Sequence, residues 1–410
     1  MGVNELFLTI LKSALGGTPL LALESLSASE WERILSMADE HKVLPLICEA
    51  IYALPTVKNG ENPSFSRSKR MVRYQVMMQT MRTEGFLQLN ERLQEAEITP
   101  LVVKGIVCRE LYPRPDHRIS GDEDVLIRPE QFERCHEVME SFGLCTELTE
   151  EQRKAAYEVP YRKPNSPLFI ELHKSLFPTE SEVYGDWNRF FDGVFDRAIG
   201  EVLQGRTVYT FGYTDHLFYL LCHAFKHFIH SGFGIRQVCD IVMYANAYGN
   251  RIDWEQIYRN CCEIRAEVFA ASLFRIGEKY LVFDPEKAHY PTCFREIPVD
   301  EVPMLEDLLS GGIYGGSTMS RKHSSNMTLD AVSADKKGKK TAGSVLGSVF
   351  PPAKKLEGRY PYLKKCSWLL PVAWIDRVLK YRKEMKQMRD SDALEAMKIG
   401  NERVELLRKY

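Results

Sequence analysis

No C-x-x-C occurs anywhere in this chain, although it carries 10 cysteines in 410 residues, and its one adjacent pair is Cys261-Cys262. A zinc ribbon and a disulfide framework, which both need regular cysteine spacing, are therefore excluded. No apolar run approaches the roughly 18 residues of a spanning helix, which excludes an integral membrane protein. Charge of one sign is missing too: 54 Lys plus Arg stand against 56 Asp plus Glu, a net charge of −2. Without an overall basic field, nucleic acid as a partner is not supported by charge. No Ser or Cys lies in a G-x-S-x-G elbow, and no Glu follows His223 as H-E-x-x-H would require. The N-terminal MGVNELFLTILKSALGG has an acid before its apolar stretch and no basic flank, so it reads as an amphipathic helix rather than a signal peptide. With free thiols, this predicts a cytoplasmic protein.

What is present is the composition of an ordinary folded chain, 44% hydrophobic and 27% charged, long enough for several modules. Up to residue 98 the apolar residues recur at three and four, as in Trp31, Ile34, Leu35 and Ala38 after a Ser27 or Ser29 cap. This predicts an N-terminal helical module over 1–98. From Thr99 the texture changes to short runs rich in β-branched and aromatic residues, TPLVVK, DVLI, GLCTEL, YEVPYR, LFIELH and RTVYTF, which predict a mixed-sheet core over 99–212. YEVPYR and LFIELH flank a polar connection suited to a hairpin. Helical patterning, capped by Thr214, returns over 213–309. A Gly/Ser/Lys stretch over 310–355 follows as a long loop, and an apolar, basic tail over 356–410 ends in a helix. The class is α+β, with helical modules before and after a sheet.

The chemistry concentrates in LVVKGIVCRELYPRPDHRISGDEDVLI. A strand ending in Lys104 meets Gly105, and a polar loop bearing Arg118 and Ser120 leads into Asp122-Glu123-Asp124 and an apolar strand. On a strand, Asp122 and Asp124 project to one face about 7 Å apart and Glu123 to the other. Two acids at the mouth of an apolar strand repel one another unless a cation compensates, and hard oxygen ligands suit Mg²⁺. Glu171, the one acid in LFIELH, shares its face with His173. If the two strands are neighbours, three carboxylates converge on two metals. Amides of the Gly105 turn, with Lys104 and Arg118, would then meet a phosphate. His173 assists acceptor binding, orients the acid or is a core histidine. His227, at i+4 from His223, packs between modules or reaches toward a nucleotide. Arg236 and Asp240, four apart, read as a structural ion pair.

LVVKG, RISGDEDVLIRPEQF, IELHKSLF and HAFKH with IRQVCDI together resemble a family of uncharacterised bacterial nucleotidyltransferases with a polymerase-beta-like core, over about 99–245. The resemblance implies a nucleotidyltransferase fold, two Mg²⁺ ions, and transfer of a nucleoside monophosphate from an NTP to a hydroxyl or amine acceptor. It also implies that Asp122 and Asp124 are the paired metal ligands, Glu171 the third, and Gly105 the glycine of the phosphate turn. Ile106 stands where Ser often follows that glycine, and Glu123 replaces an apolar residue. Two other readings remain at this stage: a catalytically silent nucleotide-binding or assembly protein, and a toxin-like enzyme modifying tRNA or a protein.

Overall fold

The computed structural model describes residues 2–18, 20, 23, 26–58, 63–230, 232–311, 353–356, 360–364, 366–376 and 402–410. The expected loop over 310–355 lies almost wholly outside them.

Five helices open the chain: α1 (Val3–Leu15), α2 (Ala28–Glu40), α3 (Leu44–Ile51), α4 (Pro55–Lys58) and the long α5 (Pro63–Glu95). The start of α2 follows from local chemistry. The Ser27 hydroxyl accepts from the Glu30 amide at 3.3 Å while the Glu30 carboxylate accepts from the Ser27 amide at 2.8 Å, a reciprocal cap contributing about 1 kcal/mol. The mixed core follows as β1 (Leu101–Val103), α6 (Gly105–Arg109), β2 (Glu123–Leu126), α7 (Phe132–Ser141), α8 (Glu150–Ala155), β3 (Glu158–Arg162), β4 (Phe169–His173), β5 (Ile199–Leu203) and β6 (Arg206–Thr210). Among the described residues it is followed by α9 (Tyr213–His230), α10 (Ile235–Tyr248), α11 (Trp254–Glu263), α12 (Glu267–Tyr280), α13 (Thr292–Arg295), α14 (Val302–Gly311), the short α15 (Ala353–Leu356) and helical residues at 370–376 and 402–409. No described helix is long and apolar enough to cross a membrane.

The sheet runs β3-β4-β2-β1-β6-β5 and mixes parallel with antiparallel pairs. β2 lies antiparallel to β1 and parallel to β4, with Asp124 directly opposite Glu171. Side chains alternate along each strand. One face sends Val102, Val125, Val159, Tyr161, Ile170 and Leu172 into an apolar core shared with Phe86, Leu89 and Leu93 of α5 and Phe132, Cys135 and Met139 of α7. The opposite face therefore carries Asp124, Glu171, His173 and Glu158, the last two also in register.

Three local expectations change. GLCTEL is not a strand: it follows directly on the end of α7 and makes a single bridge, Cys145 to Arg162. Thr214 does not cap α9 but lies in its first turn, where its hydroxyl accepts from the Asp253 amide at 2.9 Å. A strand absent from the sequence reading, β5, pairs with β6 through Gln204 (φ 49°) and Gly205 (φ 79°), the two-residue turn with positive φ at both positions that suits the twist of a hairpin.

Contacts divide the chain into two compact units, residues 1–225 with 233–313, and residues 226–232 with 314–410. The sheet belongs to the first. Within the second, Leu356, Tyr360, Leu363 and Ala373 form a small apolar cluster onto which Leu369, Leu370 and Trp374 pack. Arg403 donates to the carbonyls of Phe228 and His230.

Candidate active site

Parallel pairing of β2 with β4 places Asp124 beside Glu171, and the strand period brings His173 to the same face one position further on. Donor atoms of Asp124, Glu171 and His173 all lie within 4.8 Å of one another, and among the described residues this is the group of metal-ligating side chains that converges. His173 is buried, and neither ring nitrogen has a hydrogen-bond partner; Nε2 is 3.4 Å from Asp124 Oδ1 and Nδ1 is 3.8 Å from Glu158 Oε2. A buried imidazole whose nitrogens come no nearer than 3.4 Å to a carboxylate is poorly satisfied, and a divalent cation accepting its lone pair would lessen that cost. The donor set thus fits one such ion.

Asp122 lies outside the trio. β2 begins at Glu123, so Asp122 sits half-buried in the segment before it, where it adds to the negative field on Glu171 and Lys104. His173, expected beside the nucleotide or in the core, stands instead among the candidate ligands.

The field in the site is divided. Burial raises the Glu171 carboxyl and the charges of Asp124 and Asp122 add to it, carrying its pKa to about 8. Burial acts on Asp124 in the same direction, but the Lys104 ammonium and the His173 ring more than reverse it and hold that carboxyl far below the usual range. Lys104 Nζ lies 2.8 Å from Asp124 Oδ2 and 3.3 Å from His223 Nε2.

Lys104 also carries a sparsely populated backbone conformation, φ 65° and ψ −120°, at the junction of β1 and α6. For a residue with a Cβ this costs about 1–3 kcal/mol and persists only when neighbours over-determine it. His216 of α9 is one of them. Its Nε2 accepts from the Lys104 amide at 3.3 Å, its Nδ1 is 3.2 Å from Thr210 Oγ1, and the Thr210 hydroxyl donates to the Val102 carbonyl at 2.6 Å. Because the Thr210 proton is committed to Val102, the hydroxyl oxygen accepts from Nδ1–H, which leaves Nε2 unprotonated and ready to accept. Burial keeps His216 neutral, with its pKa down at about 3. No local pattern in the sequence marks His216, which lies 112 positions from its partner.

Several expected phosphate contacts are taken up by the protein itself. The Ile106 amide donates to Glu123 Oε2 at 2.8 Å, Glu123 pairs with buried Arg109, and a Cβ on Gly105 (φ 32°) would stand 1.8 Å from the same oxygen. The carboxylate of Glu123, on the face opposite Asp124, occupies the turn in which Gly105 was expected to hold a phosphate. Arg118 is buried and makes a two-pronged pair with Asp240 at 2.8 and 2.6 Å, reinforced by the Tyr112 hydroxyl at 2.7 Å. It is thereby withdrawn from the leaving group. The expected Arg236–Asp240 pair gives way to this one, and Arg236 donates instead to the Ile119 carbonyl at 2.8 Å. Ser120 is buried, with its amide on Gln79 Oε1 at 2.9 Å and its hydroxyl accepting from Arg109 at 3.0 Å. These bonds pin the loop before Asp122 to the middle of α5, a structural task. His227 lies in the segment 226–232 of the second unit and is not one of the trio.

The sequence model of a family described as uncharacterised nucleotidyltransferase matches residues 27–281, more than half of the chain. The chain belongs to that family. An antigenic nucleotidyltransferase-like protein from Paracoccidioides brasiliensis is similar over 52% of this chain and 96% of its own, at 12% identity and a TM-score of 0.31. No curated protein matches. In this nucleotidyltransferase-family chain the matched region spans β1 to α9 and so contains Lys104, Asp122, Asp124, Glu171, His173 and His216.

Proposed function

We propose that this chain transfers a nucleoside monophosphate from an NTP to a hydroxyl- or amine-bearing acceptor, releasing pyrophosphate, in a divalent-metal-dependent reaction at Asp124, Glu171 and His173. The observation that carries the reading is the register of β2 against β4, which joins two carboxylates and a buried imidazole on one sheet face. A divalent cation bound there would lower the charge on the reacting oxygens.

The residues divide the remaining work. Glu171, on the same sheet face as Asp124 and directly opposite it, accepts the proton of the attacking group. The acceptor oxygen or nitrogen forms a bond to the α-phosphorus as the bond from that phosphorus to the bridging oxygen breaks, and pyrophosphate leaves with that electron pair. Lys104, held at Asp124, is the cation of the site positioned to meet the charge developing on the departing phosphates. His173 and Glu158, opposite one another on β4 and β3, bound the acceptor side.

The test is incubation of the full chain with each α-labelled NTP, a divalent cation and cell extract. Label entering a macromolecule or metabolite, absent with Asp124→Asn and Glu171→Gln, supports transfer. One observation favours a second reading: the Gly105 turn is filled by Glu123, which removes an expected grip on the triphosphate. A catalytically silent protein would bind NTP and transfer no label in any extract.

A further inference from the structure

We propose that the Lys104 ammonium stands in for one of the two cations expected of this site, so that the chain binds a single divalent ion. This rests on the metal-dependent reading above and deepens it.

Three observations converge. Lys104 Nζ contacts Asp124 Oδ2 at 2.8 Å, so the ammonium already occupies an oxygen that a second cation would need. Asp122, which would complete the second ion's ligands, is outside the converging group, whereas His173 supplies a third donor for a single ion. Finally, the ammonium is placed by construction. The Lys104 backbone takes the left-handed conformation at φ 65°, its amide is tied to His216, and the largely buried side chain ends between Asp124 and His223 Nε2. A lysine on an exposed, freely rotating stem would swing away from an arriving dication; this one is largely buried, with its ammonium held between a carboxylate and an imidazole.

Charge supports the same count. A bound dication would ionise Glu171, and the two charges then present on Asp124 and Glu171 are more than balanced by that dication and the ammonium. A second dication beside the ammonium would meet its repulsion across a few ångströms of poorly screening interior. An ammonium also brings N–H donors, which a phosphate oxygen can accept directly.

The experiment is Mn²⁺ binding to the full chain, followed by the electron paramagnetic resonance of free Mn²⁺. The wild type is expected to take one Mn²⁺ per chain. Lys104→Met, which keeps the length and apolar stem but removes the charge, is expected to take two, with Asp122 and the freed oxygen of Asp124 as the added ligands. Lys104→Arg is expected to keep one. Two ions on the wild type, or one on Lys104→Met at unchanged affinity, overturns the proposal. Should Lys104→Met melt early, two ions on the wild type still overturn the proposal, and the second ion is then sought in Lys104→Gln. Two ions with label transfer intact defeats this inference and leaves the proposed function standing. No Mn²⁺ on the wild type defeats both.

Discussion

Asp124 is asked to satisfy more neighbours than any other side chain of the site: Lys104 on one oxygen and His173 on the other, with Glu171 directly across the ladder. Removing its charge leaves the ammonium without its carboxylate partner, so Asp124→Asn is expected to abolish transfer. Glu171→Gln should lower the rate by about 10²–10⁴, the span of a general base. Asp122→Asn, outside the trio, should lose less, and ranking the three by label uptake at one NTP concentration checks the assignment. Arg118 separates structure from function most sharply. Its removal strands Asp240 as a buried, unpaired carboxylate, and Arg118→Ala is expected to destabilise by about 3–5 kcal/mol in urea unfolding. Were Arg118 a phosphate ligand instead, NTP affinity would fall while stability stayed put. Glu123 has a similar explanation: an acid where an apolar residue is usual is the partner of Arg109 and of the amide at the start of α6. Gly105→Ala must move that carboxylate or the turn, and is expected to cost more than about 1 kcal/mol of stability in the same urea assay.

Among elements, β2, β4 and α9 decide the site, and α9 sets a pH response. His216 has a folded pKa of about 3 against 6.5 for the free side chain. The unfolded chain therefore takes the proton first as pH falls. The contribution of His216 is complete above pH 6.5 and is lost progressively toward pH 3, with a slope of at most about 1.4 kcal/mol per pH unit. His41, buried and also lowered, acts in the same direction. Melting temperatures between pH 7 and 5 should fall, and His216→Gln should flatten the fall; an unchanged slope would show that the folded ring titrates like the free one.

Much of this was legible from local pattern. β1, β2, β3, β4 and β6 coincide with short β-branched runs, Glu171 stands out as the one acid of its strand, and Asp124 as an acid leading into an apolar run. β5, with Gly200 and two half-exposed positions, has no such run and forms because its turn and its partner β6 impose it. Asp122 was read one residue too far into β2, since the ladder with β4 starts at Glu123. The pairs Arg118–Asp240 and Lys104–His216 join positions 122 and 112 apart, and nothing in either neighbourhood announces the other.

For the molecule as a whole, metal binding and folding are linked, because the trio exists only when β2 and β4 are paired. A cation at about 100 times its dissociation constant should add about 2.7 kcal/mol to the stability of the first unit. Calorimetry of the full chain should show a rise in melting temperature with Mn²⁺ that Asp124→Asn and Glu171→Gln each remove, and an equal rise in those variants would place the ion elsewhere. The most direct measurement is the anomalous scattering of Mn²⁺ in crystals of the full chain. The account predicts one peak within coordination distance of Asp124, Glu171 and His173 together, with Lys104 Nζ still on Asp124. A peak that leaves out Glu171 or His173, or no peak on that sheet face, would contradict it.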